Sequence, residues 1–224
     1  MKRKIVYCGL AADILHEGHI NLLKFASKYG QVTVGLLTDK AIAGYKKFPH
    51  LDYKQRLSVI ENIKYVDRVI PQPTLDYSEN LNLLKPDFVV HGDDWRTGPQ
   101  FKIRKKVISE LKKWSGKLIE KKYTKNISSS QIKEKLKKVG TTPDLRRAKL
   151  KRLLEAKQLV RVLETHNPLT GLIVENVNIQ KPGKLNEFDC MWSSSLTDSV
   201  SRGMPDNQSV DYSTRINGVI DTFN

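Results

Sequence analysis

Two histidines three residues apart, His16 and His19 in VYCGLAADILHEGHINLLKFA (6–26), stand where an apolar run gives way to an amphipathic one. At i and i+3 they share one face of a first helical turn, and Gly18 between them lets a ligand approach the backbone closely. The free N–H groups and positive dipole end of a starting helix point the same way, so the place suits a phosphate. Two imidazoles there can donate hydrogen bonds to phosphate oxygens and stabilise the charge that builds up as a phosphoryl centre is attacked. The competing reading makes His16 a helix cap and His19 a partly buried residue. Placement directly after a strand favours chemistry.

Such a pair needs a rigid support. The apolar runs IVYCGL, VTVGLL, VDRVI, DFVVHG and GKLIEKKY alternate with amphipathic segments at about 18–29, 53–63, 77–84, 100–114 and 128–138. Continuous apolar strands separated by helices predict a doubly wound α/β domain, a five-stranded parallel sheet covered on both faces. Ligands in such sheets bind at the carboxyl ends of the strands. After Val139 the stretch GTTPDLRR offers a helix stop at Gly140, a cap at Thr142 and a helix opener at Pro143. The domain boundary is therefore expected between 139 and 140. Beyond it we expect helices in LRRAKLKRLLEAK and PLTGLIVENVNI, a Gly/Pro turn at 181–184, one strand in EFDCMW and a last amphipathic segment, VDYSTRINGVIDTF. One strand cannot bury a sheet face, so residues 140–224 read as the opening of a larger domain.

Composition narrows the partners. The 224 residues are 39% hydrophobic, as in a globular protein, and no apolar run reaches the roughly 18 residues of a membrane span. Asp13 and His16 interrupt the run after Lys2-Arg3-Lys4, which spoils a signal-peptide core, so a cytoplasmic protein is expected. Cys8 and Cys190 have no ligand spacing and read as reduced packing residues; no metal site is legible. The net charge of +15 is uneven: residues 1–140 hold 28 Lys and Arg against 14 Asp and Glu, the remainder 11 against 10. Lysines at helical spacing beside apolar residues read as solvated helix faces, and no nucleic-acid motif accompanies them.

Taken together, DILHEGHINLL, YKQRLSVIENIKYVDRVIP, VVHGDDW and YTKNISSSQIKEKL follow, in order and spacing, the motifs of a known family. Residues 4–138 resemble the glycerol-3-phosphate cytidylyltransferase-like nucleotidyltransferases, which move a cytidylyl group from CTP to a phosphate-type acceptor and release pyrophosphate. The resemblance implies that His16, His19 and Lys47 are catalytic, the histidines holding the α and β phosphates in the transition state with Mg2+ neutralising charge. It implies that Lys46 and Arg56 face the acceptor or the triphosphate. It implies nucleotide contacts from Ala11, Ala12, Gly18, Asp94, Trp95, Thr124, Ser128 and Ser129. Two departures stand out. The family's arginine in RTEGIST is Tyr123 here and its glycine is Asn126, and its GTFD is LAAD, without the threonine hydroxyl.

Residues 141–224 resemble the start of phosphoenolpyruvate mutase, of the isocitrate lyase-like barrel superfamily, through LVRVLETHNPLTGLIVEN and EFDCMWSSSLTDSVSRGMPD. That implies the opening segment of a (β/α)8 barrel, with Trp192, Ser194 and Leu196 lining a pocket and Asp206 as a loop aspartate that helps to move the phosphoryl group. Read from the residues alone, Trp192 is core and 193–195 a loop. A complete barrel takes about 250 residues, so no mutase activity is expected of these 224. The two resemblances together imply a cytidylyltransferase of phosphonate biosynthesis, a homo-oligomer whose acceptor is a small phosphonate such as 2-aminoethylphosphonate or a hydroxyphosphonate. The alternatives are a glycerol 3-phosphate or other phosphomonoester acceptor, a basic module that binds nucleic acid or an acidic surface without catalysis, and a domain that mainly supports assembly. Neither nucleic acid nor membrane is the expected partner.

Overall fold

The structure, a computed structural model, describes residues 3–45, 48–97, 100–122, 124, 132, 143–181 and 184–223. Its first part runs β1 (Ile5–Leu10), α1 (Glu17–Ala26), β2 (Gln31–Leu37), α2 (Asp39–Ala43), α3 (Tyr53–Glu61), β3 (Arg68–Gln72), α4 (Ser78–Leu84), β4 (Phe88–Gly92), a 3-10 turn (Asp93–Arg96), α5 (Phe101–Lys112) and β5 (Lys117–Lys121). The five expected strands form one parallel sheet in the order β3-β2-β1-β4-β5. Of the helix expected over about 128–138, only residue 132, which is helical, is among the described residues.

The sheet is buried on both faces, which is why its strands read as continuous apolar runs. Val6, Cys8 and Leu10 of β1 pack with Val32, Val34 and Leu36 of β2 against Leu23 and Ala26 of α1 and Ile60 of α3. On the opposite face Tyr7 and Val89 meet Leu81 of α4 and Val107 and Leu111 of α5. Burying each such aliphatic side chain contributes about 1.5–3 kcal/mol. Side-chain alternation along β1 thus feeds two cores at once. The Tyr7 hydroxyl, pushed up out of its usual range by burial, bonds to Gln72 and accepts from Asn80 Nδ2 at 3.1 Å.

β1 pairs with β2 through six residues but with β4 only at Val6–Phe88 and Tyr7–Val89. Beyond that point the two central strands part. The strand order also reverses there, and a crevice opens at their carboxyl ends, the usual ligand position in this architecture.

The described chain divides into two compact units, Met1–Ala156 with Pro182–Lys184, and Lys157–Lys181 with Leu185–Asn224. The first extends past the boundary expected at 139/140, because α6 (Pro143–Ala156) packs within it through Leu153, which is buried. The change in charge balance marks a change in composition rather than in packing. The second unit contains β6 (Val162–Thr165), α7 (Pro168–Asn176), β7 (Asn178–Lys181), β8 (Lys184–Glu187), β9 (Cys190–Ser193), α8 (Ser195–Ser201) and α9 (Tyr212–Phe223). The sequence reading placed one strand here. Instead β6 and β9 pair in parallel, Val162 with Cys190 through Thr165 with Ser193, and β7 with β8 flanks the expected turn. The four-residue β6 is too short for periodicity to separate it from the helix that follows. Asn167 opens α7 with a capping box, its side chain accepting from Thr170 N at 2.9 Å, and the helix ends at Asn176, short of the predicted end. Among the described residues no helix is long and apolar enough to cross a membrane.

Candidate active site

The chain leaves β1 through Ala11 and Ala12, and Ala12 sits at φ 49°, a left-handed conformation that a non-glycine residue holds only when its surroundings impose it. Arg56 imposes much of it. This side chain of α3 is fully buried, its Nη1 donating to Ala11 O at 2.6 Å and Leu37 O at 2.7 Å and its Nη2 to Asp39 Oδ1 at 2.7 Å. Arg56 therefore joins the ends of β1 and β2 and does not line the cleft. The acceptor-facing role expected of it is corrected: its side chain is fully buried and its hydrogen-bond partners are backbone carbonyls and the Asp39 carboxylate.

α1 opens on His16, in extended backbone, as a capping box made of imidazoles. His16 Nδ1 accepts from Gly18 N at 3.2 Å, and His19 Nδ1 accepts from His16 N at 3.4 Å. An imidazole nitrogen that accepts carries no hydrogen, so each neutral ring holds its proton on Nε2. The rings lie 4.0 Å apart between centroids. Burial lowers the His16 pKa below its ordinary 6.5, against a smaller upward pull from Glu17. At neutral pH His16 is an uncharged Nε2–H donor. A Cβ on Gly18 would stand 2.9 Å from His16 Nδ1 and Cε1, so glycine here is required by the capping imidazole itself. The sequence alone suggested only room for a ligand.

A cleft of about 350 Å³ opens over this corner. Gly9 to Asp13 line it from the end of β1, His16, Gly18 and His19 from α1, His91, Gly92 and Asp94 from the end of β4, and Lys121, Lys122 and Thr124 from the end of β5. Tyr45, Tyr77, Gln100 and Ile103 complete the wall. The Tyr45 phenol is pushed up to about 12 by burial, so it stays a neutral hydroxyl. The structure thus brings together Ala11, Ala12, His16, Gly18, His19, Asp94 and Thr124, as the sequence predicted. Trp95 is corrected: it is 1% exposed, its Nε1 donates to Glu120 Oε1 at 2.8 Å, and His91 stacks on its ring at 3.8 Å and 8°. His91 faces the cleft in its place. Lys46, Lys47, Ser128 and Ser129 lie outside the described residues.

The sequence reading missed His91, Tyr45, Tyr77, Lys121 and Lys122. A signal for the lysines existed, since Lys121 ends and Lys122 follows a strand that stops at the ligand edge of the sheet. Tyr45 and Tyr77 carry no local signature; they reach the cleft by tertiary packing.

In the second unit a smaller cleft of about 230 Å³ is lined by His166, Ser193, Ser194, Ser195, Asp198 and Arg215, among others. Of the four residues expected there, Ser194 lines it and also caps α8. Trp192 and Leu196 are 62% and 57% exposed, so Trp192 is not core. Asp206 accepts from Ser195 Oγ at 3.2 Å and faces Arg215 at 3.8 Å.

Comparison with known proteins covers the first part of the chain. A family described as cytidylyltransferase-like matches residues 7–135. Glycerol-3-phosphate cytidylyltransferase of Staphylococcus aureus is 35% identical over 138 residues, 61% of this chain and 96% of that protein. FAD synthase of Methanopyrus kandleri is 37% identical over 95 residues, 41% of this chain and 63% of its own length. Ethanolamine-phosphate cytidylyltransferase of Mus musculus is 37% identical over 91 residues, 40% of this chain and 22% of its own length.

Proposed function

The chain belongs to the cytidylyltransferase-like family, and from that premise we propose that its cleft transfers the cytidylyl group of CTP to a small phosphate-bearing acceptor. It is a nucleotidyltransferase. The observation that carries the reading is the pair of imidazoles capping α1, each with its proton on Nε2, on the wall of a cleft at the strand-order reversal. An acceptor phosphate oxygen attacks the α-phosphorus of CTP in line; the new P–O bond forms as the bond to the β-phosphate oxygen breaks, and pyrophosphate leaves. His16 and His19 donate from Nε2 to the phosphate oxygens that gain charge, with the amides opening α1 beside them. Lys121 and Lys122 supply positive charge at the rim, and Lys47 is assigned to the same task on its resemblance. No covalent intermediate is required.

Among the described residues no group of three or more His, Cys, Asp or Glu side chains could hold a metal ion. Mg2+ therefore enters the proposal as the counter-ion of the CTP triphosphate, held chiefly by substrate oxygens and water.

For the acceptor we favour a phosphomonoester of the glycerol 3-phosphate kind, supported by the 96% coverage of the Staphylococcus aureus relative. A phosphonate is the second reading. It is favoured by the parallel pairing of β6 with β9 across α7, the unit from which a (β/α)8 barrel is built, and by the mutase resemblance of the same residues. A pyrophosphate-release assay crossing CTP and ATP with glycerol 3-phosphate, ethanolamine phosphate, 2-aminoethylphosphonate and a hydroxyphosphonate tests both. We expect release with CTP and one acceptor class. No release with CTP and any acceptor would refute the function, and release with phosphonates alone would reverse the order of the readings.

A further inference from the structure

We propose that Arg152, on a helix beyond the family-matched residues 7–135, is a positioning residue for the phosphate-handling corner of the cleft; the proposal rests on the function read above. The side chain of Arg152 is 20% exposed and its guanidinium lies among four partners on two segments of the first unit. Its Nη1 donates to His50 O at 2.9 Å, its Nη2 to Asp39 Oδ2 at 3.2 Å and more weakly to Pro49 O at 3.4 Å, and its Cζ lies 5.0 Å from the centre of the Phe48 ring. The Asp39 carboxylate is shared: its other oxygen accepts from Arg56 Nη2 at 2.7 Å.

Two routes lead from this guanidinium to the backbone between β1 and His16. In one, Asp39 orients Arg56, which holds Ala11 O and Leu37 O. In the other, Pro49 and His50 precede Leu51, whose N–H donates to Asp13 Oδ1 at 3.1 Å and whose carbonyl takes Arg56 Nε at 3.3 Å. Both end on the segment where Ala12 holds its left-handed conformation.

An exposed ion pair would contribute little, but this side chain is mostly buried, binds two backbone carbonyls as well as a carboxylate, and places its cation over an aromatic ring. A planar fork can do all three at once; an ammonium cannot. Among the described side chains of α6, Leu153 is the buried apolar one, at 5% exposed. Arg152 adds directional bonds to the turn that leads into α3 and to the Asp39 carboxylate. The transferase corner is thereby completed by a helix outside the residues its family defines.

The test uses the full 224-residue chain with Arg152→Met, which keeps the aliphatic stem and removes the fork, and Arg152→Lys. Amide hydrogen exchange over 48–52 is read beside kcat and the KM for CTP, with melting temperature as a control on global unfolding. For R152M we expect exchange at Leu51 at least about tenfold faster and kcat lower by about tenfold or more. KM for CTP should change less, melting should remain well above assay temperature, and R152K should recover part of kcat. Wild-type exchange in R152M overturns the proposal, as does faster exchange with unchanged kcat, or a kcat loss that follows global melting. If the wild-type chain releases no pyrophosphate from CTP with any acceptor, the functional reading fails. Exchange at Leu51 then decides by itself whether Arg152 orders the corner.

Discussion

His16 performs two tasks with two nitrogens, and a substitution can separate them. Nδ1 caps α1, which leaves Nε2 as the donor of a ring that lines the cleft. Asparagine is among the best N-caps but does not reach the position of Nε2. His16→Asn is therefore expected to keep the melting temperature within a few degrees of wild type while kcat falls about 10²–10³-fold, the usual loss for one transition-state donor. His16→Ala should lose the same activity and in addition about 1 kcal/mol of stability. Equal melting temperatures for the two variants would show that the cap bond contributes nothing. Titration reads the same geometry. Burial holds the His16 pKa below 6.5, so the folded ring stays neutral to lower pH than the unfolded one. The stability tied to it is complete above 6.5 and is lost as pH falls from 6.5 through the folded value, where Nδ1 gains a proton and can no longer accept from Gly18. An NMR titration of the His16 ring in the free protein should give a midpoint below 6.5, and one above it would contradict the assigned burial.

At the level of elements, β4, the 3-10 turn, α5 and β5 are joined through one carboxylate. Glu120 of β5 takes Arg104 Nε at 2.8 Å, Arg96 Nη2 at 2.7 Å and Trp95 Nε1 at 2.8 Å, with its own side chain 8% exposed. Arg104 foremost, then Arg96 and Trp95, hold its pKa at about 2 against an upward push from burial. This carboxylate contributes stability that is fully present above the unfolded value and is lost as pH falls toward 2. Glu120→Gln should cost about 2 kcal/mol at neutral pH and flatten the acid limb of a melting-temperature profile. Because Trp95 is the floor on which His91 stacks, the variant should also raise the KM for CTP. An unchanged profile would mean that the two arginines are solvated. Long-range partners of this kind explain why the sequence misassigned Trp95 and Arg56. The five strands and the HEGH corner were legible from local spacing. Whether a polar side chain at a ligand edge turns into the cleft or into the protein depends on partners distant in sequence, Glu120 for Trp95 and Leu37 and Asp39 for Arg56. No window of the sequence contains both members of those pairs.

Across the whole molecule the two units differ in how much core supports them. Among the described residues the buried apolar side chains of the second unit are Val174 and Val210, whereas the first has both faces of a five-stranded sheet. In the second unit Leu159, Leu169, Leu172, Trp192, Val200 and Ile220 are each at least 48% exposed, and its parallel pair, β6 with β9, has only two strands. Three or more strands or a broad helix contact are normally needed for independent stability. Cooperative opening of such a unit takes little free energy, and exchange and proteolysis follow the population of the open form. Brief trypsin treatment of the full chain should accordingly cut first within 157–224, where Lys157, Arg161, Lys184, Arg202 and Arg215 supply sites, and leave a fragment ending near Ala156 that retains α6. Because Arg152 stays with that fragment, it should keep cytidylyl transfer at close to the intact rate. Fragments that end nearer 139, before α6, should be slower by the factor measured for R152M. Cleavage within β1 to β5 before any cut beyond Ala156 would contradict the stability order, and equal rates from both kinds of fragment would leave α6 without the role assigned to it.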